Sequence, residues 1–172
     1  MRGAREIAAA DVQRSLKCFS LKFYVVRTDK LMTMTKNPEP ILEELLAMAV
    51  KAAQNSYSPY SQFRVGAALK LTDGTIVTGT NVENASYGLT ICAERSALVS
   101  AVSQFGPEVR IEAVAVANLN NAASPPCGAC RQVLAEFIVP DAPVIFPAPD
   151  GPRVLPFAEL LPLAFNMKLK YG

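Results

Sequence analysis

Three cysteines, placed at the starts of two predicted helices, constrain this chain more than any other feature. Cys127 and Cys130 are three residues apart, which places them about 60° apart around a helix, so that both thiols can face one point beyond its first turn. Cys92 heads a second predicted helix, and the 34 residues between Cys92 and Cys127 are enough for a helix, a strand and a loop. We therefore expect a fold that brings two helix N-termini side by side.

The chemistry predicted for these cysteines is zinc binding. A helix N-terminus lowers thiol pKa values and stabilises thiolates, which are the form that binds metal. Without a secretory signal, the four cysteines of the chain argue for metal or redox chemistry rather than a disulfide framework. Ligation of one Zn²⁺ per subunit by Cys92, Cys127 and Cys130 leaves a fourth tetrahedral position for water, which is typical of a catalytic site.

Two charged residues beside Cys92 are candidates for the remaining chemistry. The chain contains no histidine, which excludes Ser-His and Cys-His couples and leaves proton transfer to carboxylates. Glu94 follows Cys92 by two residues, about 200° around the helix, so it can stand near the metal without sharing the ligand face. Zn²⁺ with three thiolates carries a net charge of about −1, and Arg95 is placed to donate hydrogen bonds to cysteine sulfurs and draw off that charge.

The cysteines allow two alternative interpretations. A thioredoxin-like redox pair needs a strand directly before the Cys-x-x-Cys motif, whereas here Cys127 follows Pro125-Pro126. A structural Cys₄ zinc site could be completed by Cys18. That second alternative would leave Glu94 without a task, and it remains open at this point.

The length of 172 residues predicts one domain with at most an appendage. Residues 1–40 carry 8 Lys/Arg and 4 Asp/Glu and end in the helix-excluding stretch Asn37-Pro38-Glu39-Pro40. We interpret them as an N-terminal appendage, either disordered or the product of a start site set too far upstream of Met32 and Met34. A basic targeting or docking arm is the alternative.

Residues 41–172 are expected to form the functional domain. They carry 9 Lys/Arg and 11 Asp/Glu, and this acidic balance counts against nucleic acid as a partner. No apolar run approaches the length of a bilayer span or of a signal-peptide core. We therefore expect a cytoplasmic protein that does not bind membranes.

Hydrophobic periodicity predicts alternating helices and strands in this domain. The order indicates an α/β fold with helices packed on one mixed sheet. The predicted elements are a helix over 41–55, a hairpin over 63–71 and 75–80, a helix over 92–104, a strand over 111–117, a helix over 127–138, a strand over 144–146 and a short helix over 157–161.

Four motifs give the chain a resemblance to a known family. They are Cys92-Ala93-Glu94, then Pro126-Cys127-Gly128-Ala129-Cys130-Arg131-Gln132, the segment Ser58-Pro59-Tyr60-Ser61-x-Phe63-x-Val65-Gly66-Ala67-Ala68-Leu69, and Asn81-Val82-Glu83-Asn84-Ala85-Ser86-Tyr87. The first two match the zinc nucleobase-deaminase signature in the variant where Cys replaces the His ligand. Together the four motifs closely resemble the small homotetrameric cytidine deaminases, over about residues 41–165.

The resemblance implies a fold and a reaction. The fold would be a three-layer α/β/α domain with a central five-stranded mixed sheet. The reaction would be zinc-dependent hydrolysis of cytidine or deoxycytidine to the uracil nucleoside and ammonia, in pyrimidine salvage. Glu94 would move protons from the attacking water to N3 of the ring and to the departing amino group. The backbone of Ala93 would contact the pyrimidine.

The resemblance also implies a set of substrate-binding residues. Asn81 and Glu83, two apart and on one face if extended, would bind ribose hydroxyls, and Phe63 would stack on the base. Without the resemblance, Phe63 is better interpreted as an ordinary core aromatic on a strand, and Glu83 could equally be a solvated carboxylate. Neighbouring subunits of a homotetramer would complete the pocket, and the candidates by position are Tyr60, Tyr87 and Phe165.

Other functions remain as alternatives. A blasticidin-type aminonucleoside deaminase has a similar cysteine and glutamate layout, but the complete Asn81–Tyr87 motif and Phe63 favour the cytidine enzymes. A structural zinc or interaction module would need Cys18 to hold metal. A polynucleotide editor is disfavoured by the acidic body and by Glu83, so the predicted partners are a small nucleoside and further copies of this chain.

Overall fold

The computed structural model describes residues 39–165, which contain five strands and four α-helices. In chain order the elements are α1 (Glu39–Ala53), β1 (Val65–Leu71), β2 (Ile76–Thr80), a 3₁₀ turn (Tyr87–Leu89), α2 (Ala93–Phe105), β3 (Ile111–Asn118), α3 (Gly128–Leu134), β4 (Pro143–Ala148), β5 (Gly151–Pro156) and α4 (Phe157–Leu160).

The five strands form one sheet in the order β2-β1-β3-β4-β5. Strands β3 and β4 pair in parallel, with Val114 opposite Val144, and the other neighbouring strands pair antiparallel. The parallel pair needs a crossover connection, which α3 and its flanking loops supply. The α/β class with a mixed five-stranded sheet is thereby confirmed.

Successive side chains of the central strand β3 point to opposite faces of the sheet and contribute to a hydrophobic core on each face. Ala113, Ala115 and Ala117 pack in a cluster with Leu45 and other residues of α1. Val114 and Val116 face the opposite way and pack in a second cluster with residues of α2, α3 and α4. Because successive strand residues point to opposite faces, the run of small and β-branched residues produces three layers.

The third helix is shorter than the periodicity predicts. It ends at Leu134 rather than Ile138, so the predicted C-terminal boundary is wrong. The chain turns after Leu134, and Ile138 instead forms a parallel bridge with Ile111, whose N–H donates to the carbonyl oxygen of Phe137 at 2.9 Å. Pairing at the start of β3 has therefore replaced the last helical turn.

The structure also contains one strand that the sequence pattern does not predict, and one strand that begins later than predicted. Strand β5 was not predicted from periodicity, because residues 152–154 are exposed and Pro152 is unsuited to an interior strand position. At the first hairpin, Phe63 and Arg64 precede β1, which begins at Val65. The remaining boundaries agree to within two residues.

The predicted appendage, residues 1–40, lies outside the described residues except for Glu39 and Pro40, which begin α1. The prediction that this stretch excludes a helix is therefore wrong at its last two residues, because proline is tolerated in the first turn of a helix. Cys18, Met32 and Met34 lie outside the described residues, as do residues 166–172 at the other end. Among the helices within residues 39–165, none has the length and apolar character required to span a membrane.

Candidate metal centre

The three cysteines predicted as ligands lie together in the structure. The ligand atoms of Cys92, Cys127 and Cys130 are all within 4.8 Å of one another, and the Sγ atoms of Cys92 and Cys127 are 3.9 Å apart. Cys130 is buried, Cys92 is half-buried and Cys127 is exposed. One side of the cluster is therefore closed by protein and the other is accessible.

The spacing and the donor chemistry fit a tetrahedral Zn²⁺ site. Zn–S bonds of about 2.3 Å in a tetrahedron separate the sulfurs by about 3.8 Å, close to the separation of Cys92 and Cys127. Three soft sulfur donors select zinc over magnesium or calcium. The three clustered cysteines therefore fit zinc as the cofactor.

The N-terminal ends of two helices hold two of the three sulfurs in position. Cys92 is the N-cap residue of α2 and has extended backbone angles, with φ −77° and ψ 157°. Cys127 is the N-cap residue of α3, and its Sγ accepts a hydrogen bond of 3.5 Å from the backbone N–H of Cys130. An N-cap side chain points back over the first turn of its helix. The thiols of Cys92 and Cys127 can therefore reach Cys130, which lies in the first turn of α3.

Protons are shared unequally among the sulfurs when no metal is bound. A hydrogen bond from Cys130 and the positive charge and hydrogen bond of Arg95 lower the pKa of Cys92 to about 5, against the opposing effect of burial. The same hydrogen bond to Cys92, together with burial, raises the pKa of Cys130. Metal ligation requires all three as thiolates, so zinc binding must release protons from this cluster.

Arg95 donates to the sulfur cluster as the sequence indicated. One Nη2 atom lies 3.6 Å from Cys92 Sγ and 3.1 Å from the carbonyl oxygen of Thr90. The thiolate character of Cys92 raises the pKa of the guanidinium further. The hydrogen bond withdraws negative charge from one ligand and holds the side chain against the metal site.

Glu94 is one of the few buried charged residues among those described. It is 4% exposed and lies in the first turn of α2. Burial raises the pKa of its carboxyl, and the negative charge of Cys92 adds to that effect, whereas hydrogen bonds from its own N–H and from Cys130 oppose it. A carboxyl group with a raised pKa next to sulfur ligands is suited to accept and return protons near neutral pH.

The segment Asn81–Glu83 is tied directly to the start of α2. Val82 and Ile91 exchange two backbone hydrogen bonds, each of 3.0 Å, in an antiparallel bridge. Ile91 immediately precedes Cys92, so this bridge places the Asn81–Glu83 motif beside the metal ligand. On its other side, Val82 bridges Tyr57 in parallel.

Asn81 is buried and its amide group is used within the chain. Its Oδ1 accepts from the hydroxyl of Ser56 at 2.6 Å and from the N–H of Val65 at 2.8 Å, and its Nδ2 donates to the carbonyl oxygen of Phe63 at 2.8 Å. One Nδ2 hydrogen is left over by this count. Asn81 thereby fixes the segment that carries Phe63 against the end of β2.

Glu83 binds the same segment from the neighbouring position. Its Oε2 accepts from the backbone N–H groups of Tyr60 and Ser61 at 2.9 and 3.2 Å, and its Oε1 accepts from the Ser61 hydroxyl. These hydrogen bonds, the hydroxyl of Ser61 first, lower the pKa of the Glu83 carboxyl. The side chains of Asn81 and Glu83 therefore both form hydrogen bonds with the segment of residues 56–65.

The remaining predicted residues occupy three different settings. Ala93 is fully buried, and Phe63 is half-buried just before β1. The rings of Tyr60 and Tyr87, both exposed, meet edge to face with centroids 6.5 Å apart. Phe165 is also exposed, and its carbonyl oxygen accepts a hydrogen bond of 2.8 Å from Gln132 Nε2.

Sequence reasoning missed the residues that hold the site residues in place. Ser56 and Ser61 bind Asn81 and Glu83 by hydroxyl groups, and Arg131 donates to the carbonyl oxygen of Pro126 at 2.7 Å. Ser61 and Arg131 were part of the motifs but had been given no role. Nothing in the local sequence pointed to Ser56.

Comparison with known families gives one extended match. Residues 40–146 match the family described as the cytidine and deoxycytidylate deaminase zinc-binding region. The matched range contains all three cysteines, Glu94 and Arg95. It ends within β4, so β5 and α4 lie beyond it.

Individual relatives match over most of the domain. A cytidine deaminase of Halalkalibacterium halodurans is 47% identical over 123 residues, covering 71% of this chain and 92% of that protein. A cytidine deaminase of Mycobacterium tuberculosis is 45% identical over 119 residues, covering 69% and 85%. The crystal structure of cytidine deaminase from Burkholderia pseudomallei superposes with a TM-score of 0.65 at 42% identity, covering 77% of this chain and 100% of that one.

Proposed function

Because the chain belongs to the cytidine and deoxycytidylate deaminase family, we propose that it is a zinc-dependent hydrolase that converts cytidine and deoxycytidine to uridine and deoxyuridine, with release of ammonia. The observation that carries the proposal is that a buried glutamate, Glu94, interacts with Cys92 and Cys130 of the three clustered cysteines. The relatives that match are named cytidine deaminases, so a blasticidin-type activity is not favoured.

Glu94 carries the proton transfers in this proposal. Its buried carboxylate accepts a proton from the attacking water, delivers it to N3 of the pyrimidine ring, and protonates the amino group that leaves C4 as ammonia. A carboxyl group whose pKa is raised by burial holds the transferred proton more readily than an exposed one. In the net reaction, water supplies the new oxygen at C4 and ammonia takes away the amino nitrogen.

Cys92, Cys127 and Cys130 would hold the metal. When bound, Zn²⁺ supplies a Lewis acid that makes a water molecule nucleophilic near neutral pH. Arg95 would act mainly on Cys92, where its hydrogen bond offsets part of the charge of three thiolates. The N–H of Cys130 does the same for Cys127.

Substrate recognition is assigned to the face next to Cys92. We propose that Glu83 and the free Nδ2 hydrogen of Asn81 bind the ribose hydroxyls, that Phe63 stacks on the base and that the backbone of Ala93 contacts the pyrimidine. The bridge between Val82 and Ile91 supports this assignment, since it sets the motif beside the metal ligand. The internal hydrogen bonds of Asn81 and Glu83 would pre-orient both groups before substrate arrives.

The site would be completed by other copies of the chain in a homotetramer. The exposed rings of Tyr60 and Tyr87, which contact each other edge to face, support this proposal, since clustered exposed aromatic side chains are typical of protein interfaces. Tyr60, Tyr87 and Phe165 are the residues that we expect to reach a neighbouring pocket. The exposed fractions of these and adjacent side chains are 50% for Tyr60, 79% for Tyr87, 69% for Phe165, 57% for Tyr57 and 71% for Leu89.

We further propose a cytoplasmic location and one catalytic domain over residues 41–172. Three cysteines that must remain thiolates suit a reducing compartment, because oxidation to a disulfide would remove ligands. All the residues assigned above lie between Tyr60 and Phe165. Residues 1–33 are therefore proposed to be dispensable for metal binding and deamination.

The activity assay and the metal assay should be made on one sample. Ammonia release is measured with cytidine, deoxycytidine and blasticidin S, and zinc content is determined by elemental analysis of the same protein. We expect about one zinc per chain and turnover of the two pyrimidine nucleosides. Zinc binding without turnover of any of the three substrates would favour a structural zinc module and contradict the proposal.

A further inference from the structure

Gly79 of β2 lies where no side chain can be accommodated. A Cβ atom built on Gly79 would stand 2.3 Å from the backbone nitrogen of Ala97, 2.5 Å from the carbonyl oxygen of Ala93 and 2.8 Å from the Cα of Ala97. All three are backbone atoms of α2, which cannot rotate away as the end of a flexible side chain can. The strand and the helix are thus in direct backbone contact at this point.

The contact falls on the turn of α2 that carries the site. Ala93 is flanked by Cys92 and Glu94, and Ala93 and Ala97 are both fully buried. The helix has no side-chain cap at Cys92, so its first turn is not held by a local hydrogen bond from the N-cap side chain. The backbone of Gly79 supplies a fixed surface against which that turn rests.

We propose that Gly79 is a positioning residue for the metal centre: its lack of a side chain sets the height of the first turn of α2 on the sheet, and so the position of Cys92 and Glu94 relative to Cys127 and Cys130. The inference rests on the proposed function only in taking the three cysteines as metal ligands. It does not depend on which nucleoside is deaminated.

A side chain at residue 79 would displace the first turn of α2 by more than a metal site tolerates. Non-bonded heavy atoms settle at about 3.5–4.0 Å, so a methyl group at residue 79 would move the turn by about 1 Å or more. Metal–ligand distances tolerate only about 0.2 Å, and a misplacement of about 1 Å in a catalytic group can lower the rate about 100-fold. The ligand Cys92 would therefore be displaced well beyond what the metal tolerates.

Gly66 provides a matched control in the neighbouring strand. A Cβ atom there would stand 2.0 Å from the carbonyl oxygen of Ala49 and 2.5 Å from the backbone nitrogen of Ala53. The overlap is as severe as at Gly79, but it falls on α1, which carries none of the assigned ligands. A general loss of packing should therefore follow from either substitution, and a metal defect from only one.

The experiment compares Gly79→Ala and Gly66→Ala in the full chain. Each metal-free protein is titrated with Zn²⁺ against a chromophoric chelator, and with Co²⁺ while the sulfur-to-metal charge-transfer and ligand-field bands are recorded. We expect both variants to unfold at lower temperature, but only Gly79→Ala to show an apparent Zn²⁺ dissociation constant at least about 10-fold higher and altered Co²⁺ bands. Equal metal affinity and identical spectra in the two variants would overturn the inference.

A measurement on the unmodified protein covers the case in which Gly79→Ala does not fold. If the contact couples β2 to the metal centre, zinc must stabilise the contact by reciprocity. Hydrogen exchange should then slow in Ile76–Thr80 on adding Zn²⁺, and more than in β5, the opposite edge strand. Equal protection of both edge strands would refute the inference, and neither result bears on whether cytidine is the substrate.

Discussion

The guanidinium of Arg131 donates a hydrogen bond of 2.7 Å from Nε to the carbonyl oxygen of Pro126, the residue before Cys127. A second hydrogen bond, of 3.0 Å, runs from Nη1 to the carbonyl oxygen of Leu160 at the end of α4. Arg131 follows Cys130 directly, so its side chain closes the loop that contains two sulfur ligands. The planar guanidinium makes both bonds at once, which an ammonium group cannot do in the same geometry.

We expect Arg131→Lys to weaken zinc binding about 10- to 100-fold, which is the usual effect of losing an outer-shell hydrogen bond at a metal site. The measurement is competition with a chelator, using Arg153→Lys as the control because Arg153 binds only Asp150 among the described residues. If the two variants bound zinc equally well, Arg131 would have no role in holding the ligand loop.

Glu94→Gln should retain zinc and fold while losing most of the activity. Glutamine keeps the size of the side chain but cannot take up a proton, and general acid–base catalysis contributes about 10²–10⁴-fold to a rate. Because Glu94 serves more than one proton transfer, the deamination rate should fall by several orders of magnitude. Glu44→Gln, on the exposed face of α1, is the control. Turnover near that of the unmodified protein would remove Glu94 from the mechanism.

Replacement of a sulfur ligand should remove the metal itself. We expect Cys127→Ala and Cys130→Ala to contain little or no zinc after dialysis, since two cysteines do not hold Zn²⁺ as three do. Cys18→Ser is the control for thiol loss, and it should leave zinc content and deamination unchanged. Metal loss in Cys18→Ser would support the structural Cys₄ alternative instead.

Glu83 should confine the enzyme to free nucleosides. Its carboxylate, held by Tyr60 and Ser61, can accept a hydrogen bond from a ribose hydroxyl but would repel a 3′-phosphate. We expect cytidine 3′-monophosphate and single-stranded oligonucleotides to be poor substrates in direct competition with cytidine. The discrimination against the monophosphate should shrink in Glu83→Gln. Efficient deamination of an oligonucleotide by the unmodified protein would contradict this assignment.

The turn between β1 and β2 gives a prediction about pH and stability. Asp73 Oδ1 accepts a hydrogen bond of 2.9 Å from the N–H of Thr75, and this lowers the pKa of Asp73 from its ordinary value of 3.8. A depressed pKa in the folded state means that the carboxylate stabilises the fold above the unfolded value and loses that effect as the pH falls through the folded value.

Asp73→Asn should therefore lower Tm at pH 7, and the gap to the unmodified protein should close as the pH falls below about 4. Thermal unfolding followed by circular dichroism at pH 7 and at pH 3 tests this, with Asp141→Asn at an exposed loop position as the control. A gap that stays constant over this pH range would show that the hydrogen bond to Thr75 does not depend on the carboxylate charge.

The ligand set could be predicted from sequence because it depends on short-range geometry. The spacing of Cys127 and Cys130 and the position of Cys92 at a helix start are local properties, and the structure brings the three sulfurs together. Helix α2 was likewise predicted to within one residue at each end, since its apolar spacing and the Gly106-Pro107 stop are local signals.

Features that depend on distant partners could not be predicted. Helix α3 ends earlier than predicted because Ile138 pairs with Ile111, which lies 27 residues earlier in the chain. Nothing in the sequence near Ile138 indicates that bridge. The hydrogen bond from Ser56 to Asn81 spans 25 residues. Strand β5 could not be predicted because its exposed residues and prolines do not show the alternation of apolar and polar residues from which strands are predicted.

The prolines of β5 have a consequence for the free edge of the sheet. Pro152 lies opposite Pro147, and Pro156 lies opposite Pro143. Since neither partner has an N–H, these are non-hydrogen-bonded pairs, and residues 152, 154 and 156 direct their backbone groups outward. Val154 is then the one N–H donor that this strand offers at its outer edge, where about three would be usual for six residues. A foreign strand would find three carbonyl acceptors but a single N–H donor, and this shortage of donors hinders pairing at the edge and so opposes β-sheet aggregation.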